Sequence, residues 1–342
     1  MNEKSVINDQ PRPNFKGRNS KIVLIISVVL AVLFLFLALR HVSWPDVWQT
    51  FRQIRLEYVI FGLVINTLAL FMRGLRWGIL VSAQKKVKPA NIFLATAIGY
   101  MGNTLLPARA GELLRSYVLG ENSGISSSYV FATALTERIM DVLALVIIGS
   151  ISVVTISNTV PAWLPSTIRW MAVAGLIGLI AFLLAPRFER VIQSILLRVR
   201  FSDRWRLKFS GLITQFLLGA NAFVNLGRAA RFVGLTALIW LIDGSCAVIF
   251  AHGMGLTISL GQALLFMVAL GLSSALPSTP GYVGIYQFVA VTVMPAFGIT
   301  PSQALTYILA AQAINVVTIV LWGLVGLWHF ELKPTEILAA SE

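Results

Sequence analysis

This 342-residue chain is short of charge: 12% of its residues are Asp, Glu, Lys or Arg, against 57% hydrophobic, with a mean hydropathy of +0.81. That balance excludes an ordinary soluble domain. It has a single cysteine, Cys246, so no internal disulfide can form, and the residue reads as a small apolar side chain. Its three histidines, His41, His252 and His329, are scattered, so no metal-ligand cluster is visible and no metal or other cofactor is expected. No glycine-rich loop follows a strand, which leaves nothing to cradle a nucleotide phosphate. No small-residue cleavage site follows the first apolar run, which is therefore expected to stay in the mature protein.

What is present is a series of long apolar runs, several above the roughly 18 residues that mark a membrane span. They lie at about Ile22–Leu39, Tyr58–Leu80, Ile139–Ile156, Trp170–Ala185, Phe232–Leu256 and Ala304–Trp328. Acidic residues are the scarcer sign, 14 against 27 basic, for a formal charge of +13. The distribution speaks for a membrane rather than nucleic acid. Met1–Lys21 holds five basic and two acidic residues and Arg187–Arg231 nine and two, whereas Ser157–Arg169 holds one basic residue and Thr257–Gln262 no charge. Basic loops stay on the cytoplasmic side. Both termini, Lys85, Lys86 and Lys88, and the segment 187–231 are thus expected inside a cytoplasmic membrane, with Ser157–Arg169 outside. Within that segment Phe188, Val191, Ile192, Ile195, Leu196 and Val199 fall on one helical face with Arg187, Arg190 and Arg198 off it. Two readings fit: a helix lying on the anionic inner leaflet, or one packed on the rest of the protein.

One motif occurs twice. Leu106-Pro107-Ala108-Arg109-Ala110-Gly111 and Leu276-Pro277-Ser278-Thr279-Pro280-Gly281 share Leu-Pro-x-x-x-Gly, each inside an apolar stretch. Pro and Gly break a membrane helix, and a break at membrane depth is tolerated only where backbone is buried in protein or lines a polar cavity. The alternative is two Pro-Gly loops at the membrane surface. On the first reading each half is a span, a broken hairpin and a span, over about 58–156 and 232–328, entering the membrane from opposite sides. The expected fold is all-α and polytopic: six spanning helices plus two re-entrant hairpins arranged as an inverted repeat. The domains would be a basic tail at 1–21, a membrane domain at 22–330 and a second tail at 331–342. Helices resuming after Pro107 and near Pro280 would point their N-termini into the membrane centre, where free N–H groups favour an anion such as a lipid phosphate.

Charges at membrane depth are costly and mark candidate sites. They are Arg73, Arg76, Arg109, Glu112, Arg115, Glu137, Arg138, Asp141 and Asp243, five basic and four acidic. Arg73 and Arg76, near the end of their span, are expected to snorkel to the interface. Arg109, in the hairpin tip, is the leading candidate for gripping a phosphate, with Pro107, Gly111, Pro280 and Gly281 shaping the cavity. Glu112 and Arg115, one turn apart, are placed to pair. Glu137, Arg138 and Asp141 form a cluster at the start of a span, either part of a substrate site or an ion-paired brace for the hairpin. Asp243 stands alone in mid-span, a proton-coupling carboxylate or a partner for a buried arginine.

At Asn103–Arg115, at Glu137-Arg138-x-x-Asp141 and at Pro277–Gly284 the chain resembles the lysylphosphatidylglycerol synthase transmembrane (flippase-like) family, over roughly residues 20 to 330. The resemblance implies an integral membrane protein that handles lipids or polyprenyl carriers. In two-domain members the membrane part flips the lipid and a separate soluble domain performs aminoacyl transfer. The stretch after Trp328 is too short for that domain, so the expectation is flipping without synthesis. The chain departs from the pattern at Gln287, where many members have a glutamate. The leading expectation is a flippase for a phosphate-bearing lipid, with no catalytic residues. The alternatives are a membrane subunit of a lipid-modifying or glycosyl-transfer enzyme, and a non-transporting partner that recruits a synthase or glycosyltransferase.

Overall fold

The computed structural model describes residues 29–30, 32–40, 42–106, 110–156, 170, 173, 177–178, 180, 223–274 and 280–332. Pro107, Ala108 and Arg109, Ala275 to Thr279, the loop 157–169 and all of 181–222 lie outside these residues, as do the first part of the first span and most of the fourth. After helical residues 32–39, nine α-helices follow among the described residues: α1 Trp44–Arg52, α2 Leu56–Val81, α3 Pro89–Leu105, α4 Gly111–Ser123, α5 Ser127–Thr155, α6 Leu226–His252, α7 Leu260–Ser273, α8 Ile285–Val293 and α9 Pro301–His329. Short 3₁₀ turns at Pro280–Tyr282 and Met294–Phe297 flank α8. No strand occurs among the described residues.

Local chemistry sets the boundaries. Pro89 and Pro301 occupy first turns, where proline's missing N–H costs nothing. Ser259 with Gln262 and Thr300 with Gln303 form reciprocal caps at the starts of α7 and α9. Gly124 ends α4 in the left-handed region at φ 60°. At 1.5 Å per residue, helices of 26 to 29 residues such as α2, α6 and α9 exceed the roughly 30 Å hydrocarbon core. These three are long and apolar enough to cross a membrane. Helix α5 is equally long, but it starts at Ser127, not near Ile139 as the sequence suggested. The apolar run alone located the end of that helix; its first part is mixed in polarity, so Glu137, Arg138 and Asp141 fall inside the helix rather than at its start.

Helices α3 and α4, of 17 and 13 residues, fold back on each other. The approach is close enough that a Cβ on Gly102 would stand 2.8 Å from the Cα of Gly111, so glycine on both arms is what brings the backbones together. The packing partners come in matched sets. Interfaces α2–α3, α3–α4, α4–α5 and α3–α9 have the counterparts α6–α7, α7–α8, α8–α9 and α7–α5, while α2 packs on α6; α2 also touches α5 and α9. Helices α2 and α6 run antiparallel: Tyr58 lies on Gly253, Arg73 meets Asp243 and Arg76 meets Thr236. Each of three pairs, Leu56 and Leu226, Arg73 and Asp243, Leu106 and Leu276, is separated by 170 residues. The turn at Pro280–Tyr282 packs against α3, bringing the second hairpin onto the first.

Candidate functional site

The first hairpin is fixed to its neighbours by charge. Glu112 and Arg115 stand on the first turns of α4; Glu137, Arg138 and Asp141 line one face of α5; Arg76 comes from α2. Arg76 reaches Glu137 at 2.8 Å and Asp141 at 2.6 Å. Arg115 reaches Glu137 at 3.0 Å and Glu112 at 2.5 Å. Arg138 closes on Glu112, with its Nε donating at 2.7 Å, and its Nη1 lies 3.6 Å from Asp141. The result is a closed ring in which three arginines and three carboxylates alternate: Asp141, Arg76, Glu137, Arg115, Glu112, Arg138 and back. Its formal charge is zero. Burying so many charges is tolerable only because each meets the opposite sign at hydrogen-bonding range.

Aromatic rings and an amide complete the shell. The Arg115 guanidinium lies 4.4 Å from the Trp77 ring centre, Arg76 5.2 Å from Phe232 and Arg138 5.6 Å from Tyr100. Asn103 donates to Glu112 at 3.1 Å. The ring is graded from sealed to open: the side chains of Arg115, Glu137 and Arg76 are 1%, 2% and 3% exposed, those of Glu112, Asp141 and Arg138 14%, 23% and 39%. Arg138 is therefore both the most accessible member and the holder of the longest link.

These contacts revise several expectations. Arg76 does not snorkel; it is sealed between two carboxylates, because α5 presents Glu137 and Asp141 to it four residues apart. Arg73 is also drawn inward, to Asp243 at 2.5 Å, so Asp243 is not alone in its span. Glu112 and Arg115 do pair, and the α5 cluster engages the hairpin as the bracing reading held. Arg109 and Pro107 lie outside the described residues. Gly281 is in the left-handed region at φ 71°, beside Tyr282 at φ 59°. Among the described residues no group of three or more His, Cys, Asp or Glu is placed to hold a metal. A pocket of about 280 Å³ between α2 and α6, at Tyr58, Val248, His252 and Ile258, sits at the far end of α2 from the ring.

The second hairpin carries two polar residues, Gln287, noted in the sequence only as a departure from the family pattern, and Gln312, which the sequence reading passed over. Gln287 is buried; its Oε1 accepts from the Gly284 N–H at 2.7 Å, and its Nε2 donates to Gln312 Oε1 at 2.7 Å. Gln312 in turn donates to the Gly281 carbonyl. Superposing the two halves would have pointed to Gln312: it stands as far from the start of α9 as Arg138 does from the start of α5.

A family model described as "Lysylphosphatidylglycerol synthase TM region" matches residues 24–323. The chain is 27% identical to "Glycosyltransferase AglD" of Haloferax volcanii over 88% of its own length, and spans about half of that protein, 53%. It is 24% identical to a UPF0104 membrane protein of Methanocaldococcus jannaschii, covering 67% of this chain and 94% of the relative. A UPF0104 membrane protein of Methanothermobacter thermautotrophicus is 22% identical, over 92% and 97%. No solved structure matches the chain.

Proposed function

The chain belongs to the lysylphosphatidylglycerol synthase TM region family, and from that membership we propose that it moves a phosphate-bearing lipid between the leaflets of a membrane by alternating access. The observation that carries this reading is the closed, charge-neutral ring at the base of a broken hairpin, with one edge open. An internally balanced ring holds α2, α4 and α5 together yet leaves the Arg138 side chain half-exposed. A guanidinium can grip a phosphate with two parallel N–H donors, and Arg138 can turn toward one by loosening its 3.6 Å link to Asp141 while Glu112 keeps it in place. Glu112 already sets a negative charge in the first turn of α4, which weakens that helix end as an anion site. The attraction for a phosphate therefore rests on arginines: Arg138 and, from the tip, Arg109.

Alternation follows from the two halves. The antiparallel α2 and α6, the 170-residue spacing and the matched interfaces support an inverted repeat, with Arg73–Asp243 where the equivalent helices cross. Rocking one half against the other about that pair exposes the hairpin edge first to one leaflet and then to the other. The basic segments put both termini in the cytoplasm and Ser157–Arg169 outside. Reporter fusions active only outside score positive at 157–169 and negative at 187–231 on this reading; the reverse pattern overturns it. The decisive experiment is purified protein in liposomes with labelled phospholipids. Faster transbilayer movement than in protein-free vesicles is expected, and none from folded protein removes the proposal. A second reading, a membrane subunit in lipid-linked glycosyl transfer, is favoured by the name of the Haloferax relative alone. A modified lipid product formed with a partner enzyme, without faster movement, would select it.

A further inference from the structure

Helix α1 is the most strongly amphipathic helix among the described residues, and lipid transport makes no use of it. Its inner face, Val47 and Thr50, packs on α9: the Ser43 N–H donates to Ser302 Oγ at 3.0 Å and Thr306 Oγ1 donates to the Val47 carbonyl at 3.4 Å. Its outer face is aromatic. Trp44, Trp48 and Phe51 are 59%, 57% and 51% exposed. Trp48 and Phe51 stack at 6.1 Å, and the Arg52 guanidinium lies 5.2 Å from the Trp48 ring centre. A helix that met water on that side would carry polar residues there.

We infer that α1 is an interfacial anchor whose aromatic face inserts at the boundary between phospholipid head groups and acyl chains, with Arg52 meeting the phosphates. Two observations fix its depth. Only three residues separate α1 from the spanning helix α2, and its inner face is bonded to the first turns of the spanning helix α9. Both neighbours begin there, so α1 sits at the level where membrane spans start. That is where tryptophan is favoured, its ring apolar and its N–H polar. Arg52 supplies the complementary charge, its stem lying along the indole and its head free to reach a phosphate. Lys85, Lys86 and Lys88 lie beyond the opposite end of α2, so the leaflet is the one away from these basic residues. The inference needs only that α2 and α9 span a bilayer and stands apart from what the protein transports.

The test is spin labelling of the full chain in the Cys246→Ser background, with single cysteines at 44, 48 and 51 and at 46, 49 and 53, in vesicles of phosphatidylcholine and phosphatidylglycerol. Accessibility to oxygen relative to a water-soluble nickel chelate should be several-fold higher at the first three positions than at the last three, rising and falling with the helical period. Uniform access to the chelate along α1 would place the helix in water and overturn the inference. Exclusion of both agents at 44, 48 and 51 would assign the face to protein contact and overturn it equally. The profile survives the loss of any one variant that fails to fold.

Discussion

The two hairpins solve the same mechanical problem with opposite chemistry. Each must hold a broken helix against a long neighbouring one. The second does so with neutral amides, Gln287 bridging the Gly284 N–H to Gln312, and Gln312 reaching the Gly281 carbonyl. The first uses six ionised side chains from three helices. Charges within a membrane are expensive, and the molecule itself contains a neutral way of fixing a hairpin. Holding α4 in place therefore does not require the ring. What the ring adds is Arg138, a cation held at the open edge by partners that already cancel it. On the transport reading proposed above, that asymmetry would make the first hairpin the substrate-facing one and the second its structural counterpart.

The sharpest way to break this comparison is to open the ring at its sealed end. Glu137 receives both Arg76 and Arg115 and is 2% exposed. Glu137→Ala leaves two buried guanidiniums each short of a partner, a loss on the order of 3–5 kcal/mol, read as reduced expression and early thermal unfolding in detergent. Glu137→Gln keeps the shape and an acceptor, and should recover part of the loss. Equal stability of both variants with the parent would mean that the ring braces nothing.

The next effect concerns the one ion pair that joins the halves among the described residues. Arg73 and Asp243 are 25% and 15% exposed, so Arg73→Ala or Asp243→Ala should cost less than the roughly 3–5 kcal/mol typical of a fully buried pair, and less than opening the ring. Because the two positions are equivalent across the 170-residue repeat, exchanging them, as Arg73→Asp with Asp243→Arg, should restore most of the stability lost by either single reversal. A double reversal no better than the singles would remove the equivalence of α2 and α6.

Much of this was legible in the sequence. Apolar length located α2, α6 and α9, and the repeated Leu-Pro-x-x-x-Gly found both hairpins. The charged residues were singled out because each is improbable in a membrane. The pairing was not legible. Arg76 looked like a snorkelling residue because its distance from the helix end is visible in the sequence, whereas the face of α5 that covers it is a matter of how two helices cross. The start of α5 was missed for a related reason: its first turns are mixed in polarity, and hydropathy reports only what faces lipid. Gln287 was noted only as a departure from the family pattern, and Gln312 escaped, because a neutral amide in an apolar run carries no charge to draw attention.

The second hairpin should be the softer target. Gln287→Ala removes the acceptor for the Gly284 N–H and the donor to Gln312, leaving buried polar groups unpaired at about 1–3 kcal/mol. The effect should be on stability, with transport per folded molecule retained, since no charge is lost. A transport defect at full stability in Gln287→Ala would move the active chemistry toward the second hairpin and invert the comparison.

The smallest effect on stability, and the most informative about function, belongs to Arg138. Its side chain is 39% exposed, it lies beside Tyr100, and Glu112 and Asp141 would each keep another arginine partner in its absence. A half-exposed ion pair contributes about 1 kcal/mol or less, so Arg138→Lys should unfold close to the parent temperature. Lysine keeps the charge but acts as a point, unable to present two parallel donors to a phosphate. If the exposed edge of the ring is where a lipid phosphate docks, Arg138→Lys should slow transbilayer movement in vesicles while expression and unfolding change little, and Arg109→Lys at the tip should do the same. If Arg138 only completes the ring, lysine should pair with Glu112 nearly as well and movement should match the parent. Full activity in both lysine variants would separate the ring from the substrate and leave it a brace after all, despite the neutral alternative that the second hairpin uses.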